Sequence, residues 1–277
     1  MKRLKMKHLI IAALAPALFA GTASAATLVA IDDTTLLQNG GQYARDENQG
    51  GRNEVILGGN GNTTDVRHGL FRFDISTIST QITAGTDILS ATLTLTEAMA
   101  RDTIQNGAGT GSRTFSVFGV TAANASWVEG TNSGGIQVGT ASLSYRNTGA
   151  NNAASTDWAS GGGTPTATDL FTFGTDTGAS LGTGTVNFAT LSQQTLVITI
   201  TDLAAFKTLL GQWQAQGATT NAGLAIQSAG TSQTFWESNE TGVGTSPATL
   251  DITFVPEPSS LALLGLGGLL MAARRRR

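Results

Sequence analysis

The sequence predicts an all-β fold, an antiparallel β-sandwich of jelly-roll type, and three observations carry that prediction. Short runs with apolar residues at alternate positions recur along the chain, clusters of Gly, Asn, Thr and Ser separate them, and helical periodicity is confined to one segment. Charged residues make up only 13% against 40% apolar ones, a composition that can bury a core.

The strands read as Thr27–Ile31, Glu54–Leu57, His68–Ile75, Ile88–Glu97, Thr114–Thr121, Leu143–Tyr145, Thr195–Thr201, Gly223–Gln227 and Leu250–Phe254. In Ala91-Thr92-Leu93-Thr94-Leu95-Thr96 the apolar residues fall at every second position, the pattern of a strand with one buried and one solvated face. Phe71, Phe73 and Ile75 share a face likewise, with Leu70, Arg72 and Asp74 opposite. One helix is predicted over about 202–214, capped by Asp202, with Leu203, Phe206, Leu209, Leu210 and Trp213 at three-to-four spacing and Gly217 beyond its end. The Gly-, Ala-, Ser- and Thr-rich stretch from Asn147 to Thr185 is too long for a tight connection and reads as excursive loops with a short hairpin near Leu170–Phe173.

Both ends are signals rather than parts of that fold. Residues 1–25 form a secretory leader: bases Lys2, Arg3, Lys5 and Lys7, an apolar run Leu9–Ala20, then Ala23-Ser24-Ala25, whose small side chains suit signal peptidase cleavage after Ala25. Residues 255–277 hold Pro256-Glu257-Pro258, an apolar segment over 261–273 and the cluster Arg274, Arg275, Arg276 and Arg277. As a helix that segment reaches about 20 Å, against a hydrocarbon core of about 30 Å. The arginines resist translocation and stay cytoplasmic, leaving the β-domain of residues 26–254 outside the inner membrane on a weak, temporary stop.

This tail resembles the PEP-CTERM sorting signal, with its Pro-Glu-Pro motif, glycine-containing hydrophobic segment and terminal arginines in order. The resemblance implies recognition of Pro256, Glu257 and Pro258 by an exosortase, a membrane cysteine protease-transpeptidase. It also implies a protein anchored in the membrane before processing and at the cell surface or in the extracellular matrix after it.

Charge and composition exclude several functions. Half of the 16 basic residues lie in the two terminal signals, so residues 26–255 carry eight bases against 18 acids and a net charge of −10. Such a surface repels phosphate backbones, which argues against nucleic acid as a partner. With no cysteine, disulfides, thiolate catalysis and lipidation are excluded. Outside the leader the one histidine, His68, sits beside a core strand without a Gly-x-Ser-x-Gly elbow, which argues against a serine triad, and a single imidazole cannot build a histidine-rich zinc site.

Three ligand readings remain. Sugars stack on exposed rings, and Trp158, inside the glycine-rich excursion, and Tyr43 are the candidate carbohydrate platforms, with Trp127, Trp213 and Trp236 expected in the core. Asp32, Asp33 and Asp46 lie in sequence where carbonyl groups could complete an oxygen shell for Ca2+, although no EF-hand spacing is present. Glu129, Glu237 and Glu240 are candidate acids for glycoside hydrolysis by residue type alone. Arg72 and Asp74 read as a structural pair or as partners of neighbouring strands.

A second resemblance covers most of residues 27–254. Gly69–Ile75, Ile88–Leu95, Trp127-Val128-Glu129-Gly130-Thr131, Asn221–Ile226 and Phe235–Glu240 follow in the order of the DNRLRE family of extracellular domains, which is similar to alginate-type carbohydrate-binding modules. Two departures from that pattern are a longer glycine-rich segment after Trp127 and Ser238-Asn239-Glu240 where the family has Ser-Arg-Glu. Together the two resemblances lead to the expectation of a non-enzymatic, exosortase-sorted surface or matrix protein associated with exopolysaccharide or biofilm, with carbohydrate as ligand. A polysaccharide-active enzyme of glycosidase or lyase type and a purely structural matrix protein are the alternatives.

Overall fold

A computed structural model describes residues 23–37, 47–59, 66–98, 111–134, 137, 139–142, 145–147, 156–158, 170–188, 193–228, 230, 232–240 and 246–255. Among the described residues twelve strands run in chain order: β1 Ser24–Leu37, β2 Glu54–Gly59, β3 Val66–Phe73, β4 Ile88–Thr96, β5 Ser112–Val120, β6 Tyr145–Asn147, β7 Thr156–Asp157, β8 Thr177–Asn187, β9 Thr195–Ile200, β10 Leu224–Ser228, β11 Thr234–Glu237 and β12 Thr249–Phe254. A single-turn helix, Ser79–Thr83, follows β3, and a long helix, Leu203–Gln216, follows β9.

All named strand pairings are antiparallel, and the order β1-β12-β4-β9-β8-β5-β10-β3 returns to β1, so eight strands close a barrel. This corrects the expected sandwich. The physical reason is the length of β1: its first half pairs with β12 from Ser24 to Val29, its second half with β3 from Asp32 to Leu37, and a register shift between Ala30 and Asp32 bends it between the two. Off β3 hang β2 and then β11, while β6 and β7 form a separate two-stranded ladder.

The barrel interior is apolar. Phe71, Phe73, Leu93, Val117, Ile198 and Leu250 are among the side chains that fill it. At one mouth the long helix presents Phe206, Leu209, Leu210 and Trp213, with Trp213 stacked on Phe73 at 6.5 Å between ring centroids. Asp202 caps it as expected, its carboxylate accepting from the Ala205 amide at 2.9 Å. Trp236 fills the core elsewhere, edge-on to Phe115 at 5.5 Å.

The wall built from β12, β4 and β9 turns Thr92, Thr94, Thr199 and Asp251 outward. The wall built from the second half of β1, β3 and β10 is buried on both faces. Its outer side carries Leu36, Leu70 and Ala225, which pack under Trp127, Trp158 and Phe171 from the loops. Residues 170–176 do not form the expected hairpin. They make a turn in which the Asp176 carboxylate accepts from the Thr172 amide at 2.8 Å, so Phe171 and Phe173 fold onto the wall instead of pairing as strands.

Candidate functional site

The site lies on that covered wall, where β1 bends. Asp32 and Asp33 follow the register shift directly, and Asp32 stands opposite Arg72 of β3. Arg72 forms an ion pair with Asp32, so of the two sequence readings it is the neighbouring strand, not Asp74, that supplies the partner. Asp74 instead accepts from the Ser76 amide. The Arg72 Nε donates to the Asn221 carbonyl at 2.7 Å, and Nη2 donates to the carbonyls of Trp127 at 2.7 Å and Ala125 at 3.1 Å. Its guanidinium carbon sits 4.1 Å above the Trp127 ring, whose indole nitrogen donates to the Ala222 carbonyl at 2.9 Å.

Glu129, two residues past Trp127, closes the other side. Its carboxyl accepts from the Asp33 amide at 2.6 Å, and its carbonyl accepts from the Asn48 side chain. Asn48 in turn receives the amides of Gly50 at 3.2 Å and Asn132 at 3.3 Å. Gly130 adopts φ +84°, and a Cβ there would lie 2.6 Å from the Asn48 Oδ1, so backbone shape and space both require glycine. Asn239 ties the last loop in, its amide donating to Asp33 at 2.8 Å and its side chain to the Ile31 carbonyl at 2.6 Å.

Asp32 pairs with the Arg72 guanidinium, and the carboxyl groups of Asp32, Asp33, Glu129 and Glu240 lie near enough to act on one another. Burial pushes Glu129 up to about 9, with the carboxyls of Asp33, Asp32 and Glu240 adding to the rise against the Asp33 amide. Burial raises Asp33 to about 7, opposed by the Asn239 amide and reinforced by Glu240 and Asp32. Glu240 is raised by burial and by Asp32. Arg72 is lowered by burial and held up by Asp32 and Glu129. At neutral pH Glu129 therefore keeps its proton, and Asp33 titrates.

Several sequence expectations change here. Trp158 is not a platform: it is 1% exposed, its indole nitrogen donates to the Ser142 carbonyl at 3.0 Å, and its ring lies edge-on to Phe171 at 4.9 Å. Trp158 packs with Phe171 onto the covered wall, which buries the ring that was expected to project. Asp33 and Asp32 spend their carboxylates on Asn239 and Arg72, and among the described residues no group of three or more His, Asp or Glu side chains is placed to hold a metal ion. Glu237 does not join the cluster's bonding; it accepts from the Ser246 amide at 2.9 Å and the Gln193 side chain at 3.3 Å. Trp127, Trp213 and Trp236 are buried as expected. A groove of about 340 Å³ between the long helix and strands β5 and β8, lined by residues such as Thr121, Ala179, Thr208 and Gln212, holds no aromatic ring. Tyr43, Asp46, Pro256, Glu257, Pro258, the segment 261–273 and Arg274–Arg277 lie outside the described residues, as does the leader up to residue 22. Among the described residues no helix is long and apolar enough to cross a membrane.

The carboxamides Asn48, Asn221 and Asn239 were not legible as site residues. Their loop positions were the available signal, two of them beside a glutamate in Glu47-Asn48 and Asn239-Glu240, and such positions are common to any turn.

At the opposite side of β1 the last strand leads straight into the tail. The Val255 amide donates to the Asp87 carbonyl at 2.7 Å, so the fold holds the chain to within one residue of Pro256. Residues 254–277 match the PEP-CTERM protein-sorting motif. The chain carries a PEP-CTERM sorting signal. This makes it an exported protein with a membrane-anchored sorting intermediate, delivered outside the cell by an exosortase. No curated protein matches the chain.

Proposed function

We propose that this PEP-CTERM protein is a non-enzymatic component of the cell surface or extracellular matrix, associated with exopolysaccharide, whose barrel is the cargo that the sorting tail delivers. The observation that carries the reading is the junction at Val255: a folded, acidic, disulfide-free domain runs directly up to Pro256-Glu257-Pro258. The signal peptidase cut after Ala25 and the exosortase step then leave the barrel free of both terminal segments. In the DNRLRE-like reading the barrel binds polysaccharide through its outward hydroxyl-bearing wall, since Trp158 is not available for stacking. Retention of the purified full-length protein on a glycan array tests this; binding to matrix polysaccharide supports it, and an array without signal leaves the purely structural matrix role.

A second reading is favoured by Glu129. A carboxyl group that keeps its proton at neutral pH beside other carboxyls has the character of a general acid in glycoside hydrolysis. Release of reducing ends from alginate-like polymers, abolished in Glu129→Gln, would support that enzyme; absence of release from the wild type would dismiss it.

A further inference from the structure

The two processing signals lie on facing strands of one ladder. β1 begins at Ser24 opposite Phe254, with Ala25 opposite Thr253 and Ala26 opposite Ile252. The expected leader cut falls between Ala25 and Ala26, and Pro256 is two residues past Phe254. Both processing enzymes therefore act at the same end of the same pair of strands.

The backbone directions are set by two hydrogen bonds. The Ala30 amide donates to the Ala248 carbonyl at 2.9 Å, so residues 248, 250, 252 and 254 turn their backbone groups toward β1. The Val255 amide donates to Asp87 at 2.7 Å on the β4 side, the parity this alternation requires. The N–H and C=O of Phe254 thus face Ser24. On the other side of β12, the register skips Leu89 between Ser90 and Ile88. Leu89 is 58% exposed and Val255 39% exposed, which makes an apolar lip beside the strand end.

A peptide bond held in a ladder is not open to a peptidase that must take the chain extended in its own cleft, so the leader is cut while Ser24 and Ala25 are unpaired, and both residues leave with it. A chain that starts at Ala26 places nothing of β1 opposite Thr253 and Phe254. The rest of β12 stays fixed between Ala26–Val29 and β4, while the Phe254 donor and acceptor are left on an open edge directly upstream of the sorting motif. Such an edge is a template for an added strand, with main-chain hydrogen bonds giving affinity and fixing register.

We propose that leader removal leaves this edge open and that the sorting enzyme adds an extended segment of its own alongside Thr253–Val255, directly upstream of the sorting motif's Pro-Glu-Pro. The proposal rests on the exosortase reading and deepens it. The test replaces residues 1–25 with an unrelated cleavable leader joined either to Ser24 or to Ala26 in the full-length chain, in cells that carry the exosortase. Mass spectrometry confirms each mature N-terminus, and pulse-chase labelling follows loss of the tail. The chain that starts at Ser24 keeps the ladder filled and should lose its tail at least fivefold more slowly than the chain that starts at Ala26, with the urea midpoints of the two recovered barrels agreeing. Equal rates overturn the proposal and leave the sorting reading standing. A tail retained in both chains overturns both together. Equal rates combined with crosslinked dimers of the Ala26 chain alone would assign the edge to a second copy instead.

Discussion

The two walls of the barrel use the same strand geometry and opposite chemistry on their outer faces. On the β12-β4-β9 wall the outward residues include Thr92, Thr94, Thr199, Asp251 and an exposed Val197, with no loop core packed over them. On the β1-β3-β10 wall the outward residues include Leu36, His68, Leu70, Arg72 and Ala225, sealed under loops. A strand with one wet face reports its period in the sequence. A strand buried on both faces does not, and its polar residues must each be satisfied by specific partners.

The comparison ranks the effects of mutation. Arg72→Ala should be the most damaging, because it leaves Asp32 and the carbonyls of Asn221, Ala125 and Trp127 without their donor; a loss of about 4 kcal/mol in urea unfolding is expected. Leu70→Ala should cost about 3 kcal/mol although Leu70 points away from the barrel interior, and a loss below about 1 kcal/mol would show that the loops do not seal this wall.

The covered wall should also impose a pH dependence. Glu129 and Asp33 hold protons in the folded state that the unfolded chain releases. Their contribution to stability is complete below about pH 4 and declines as pH rises through about 7 for Asp33 and about 9 for Glu129. His68, buried and lowered to about 4, works the other way: its contribution is complete above about 6.5 and is lost as pH falls toward 4. Glu129→Gln keeps an acceptor for the Asp33 amide, so it should flatten the decline between about pH 4.5 and 9 in thermal melts while leaving the acid side unchanged. An unchanged alkaline slope would mean that Glu129 is ionised in the fold.

On the bare wall, Thr92→Val should move stability by less than about 0.5 kcal/mol. Smallest of all, Lys207→Ala removes an exposed ion pair with Asp87 at the helix mouth and should be hard to detect in the urea midpoint.

The same contrast explains what could be read in advance. β4, β9 and β12 alternate cleanly, and the long helix announces itself through Asp202 and four inward apolar residues. β8 was missed because its inward positions include Gly182 and Gly184. A Cβ at Gly184 would sit 2.3 Å from the Val197 carbonyl, so the strand is glycine-rich by steric need while its composition reads as a loop. β11, Thr-Phe-Trp-Glu, is buried at every position and shows no period. Closure into a barrel rests on one bend in β1, which no local pattern marks. At the site, Glu129 and Gly130 stood in the segment Trp127–Thr131 that carried the family resemblance, and Arg72 was read as pairing either with Asp74 or with a neighbouring strand. The burial that raises Glu129 and Asp33, and hides Trp158, comes from loops whose course depends on the completed wall.

The strand that seals the ring is also, among the described residues, the last in chain order. β12 is the stave between β1 and β4, so a polypeptide cut short before residue 249 has a gap through its wall and no closed form to reach. The sorting motif, matched over residues 254–277, follows that strand directly. Completion of the vessel and synthesis of its address label are thus nearly the same event, and an incomplete chain lacks both at once.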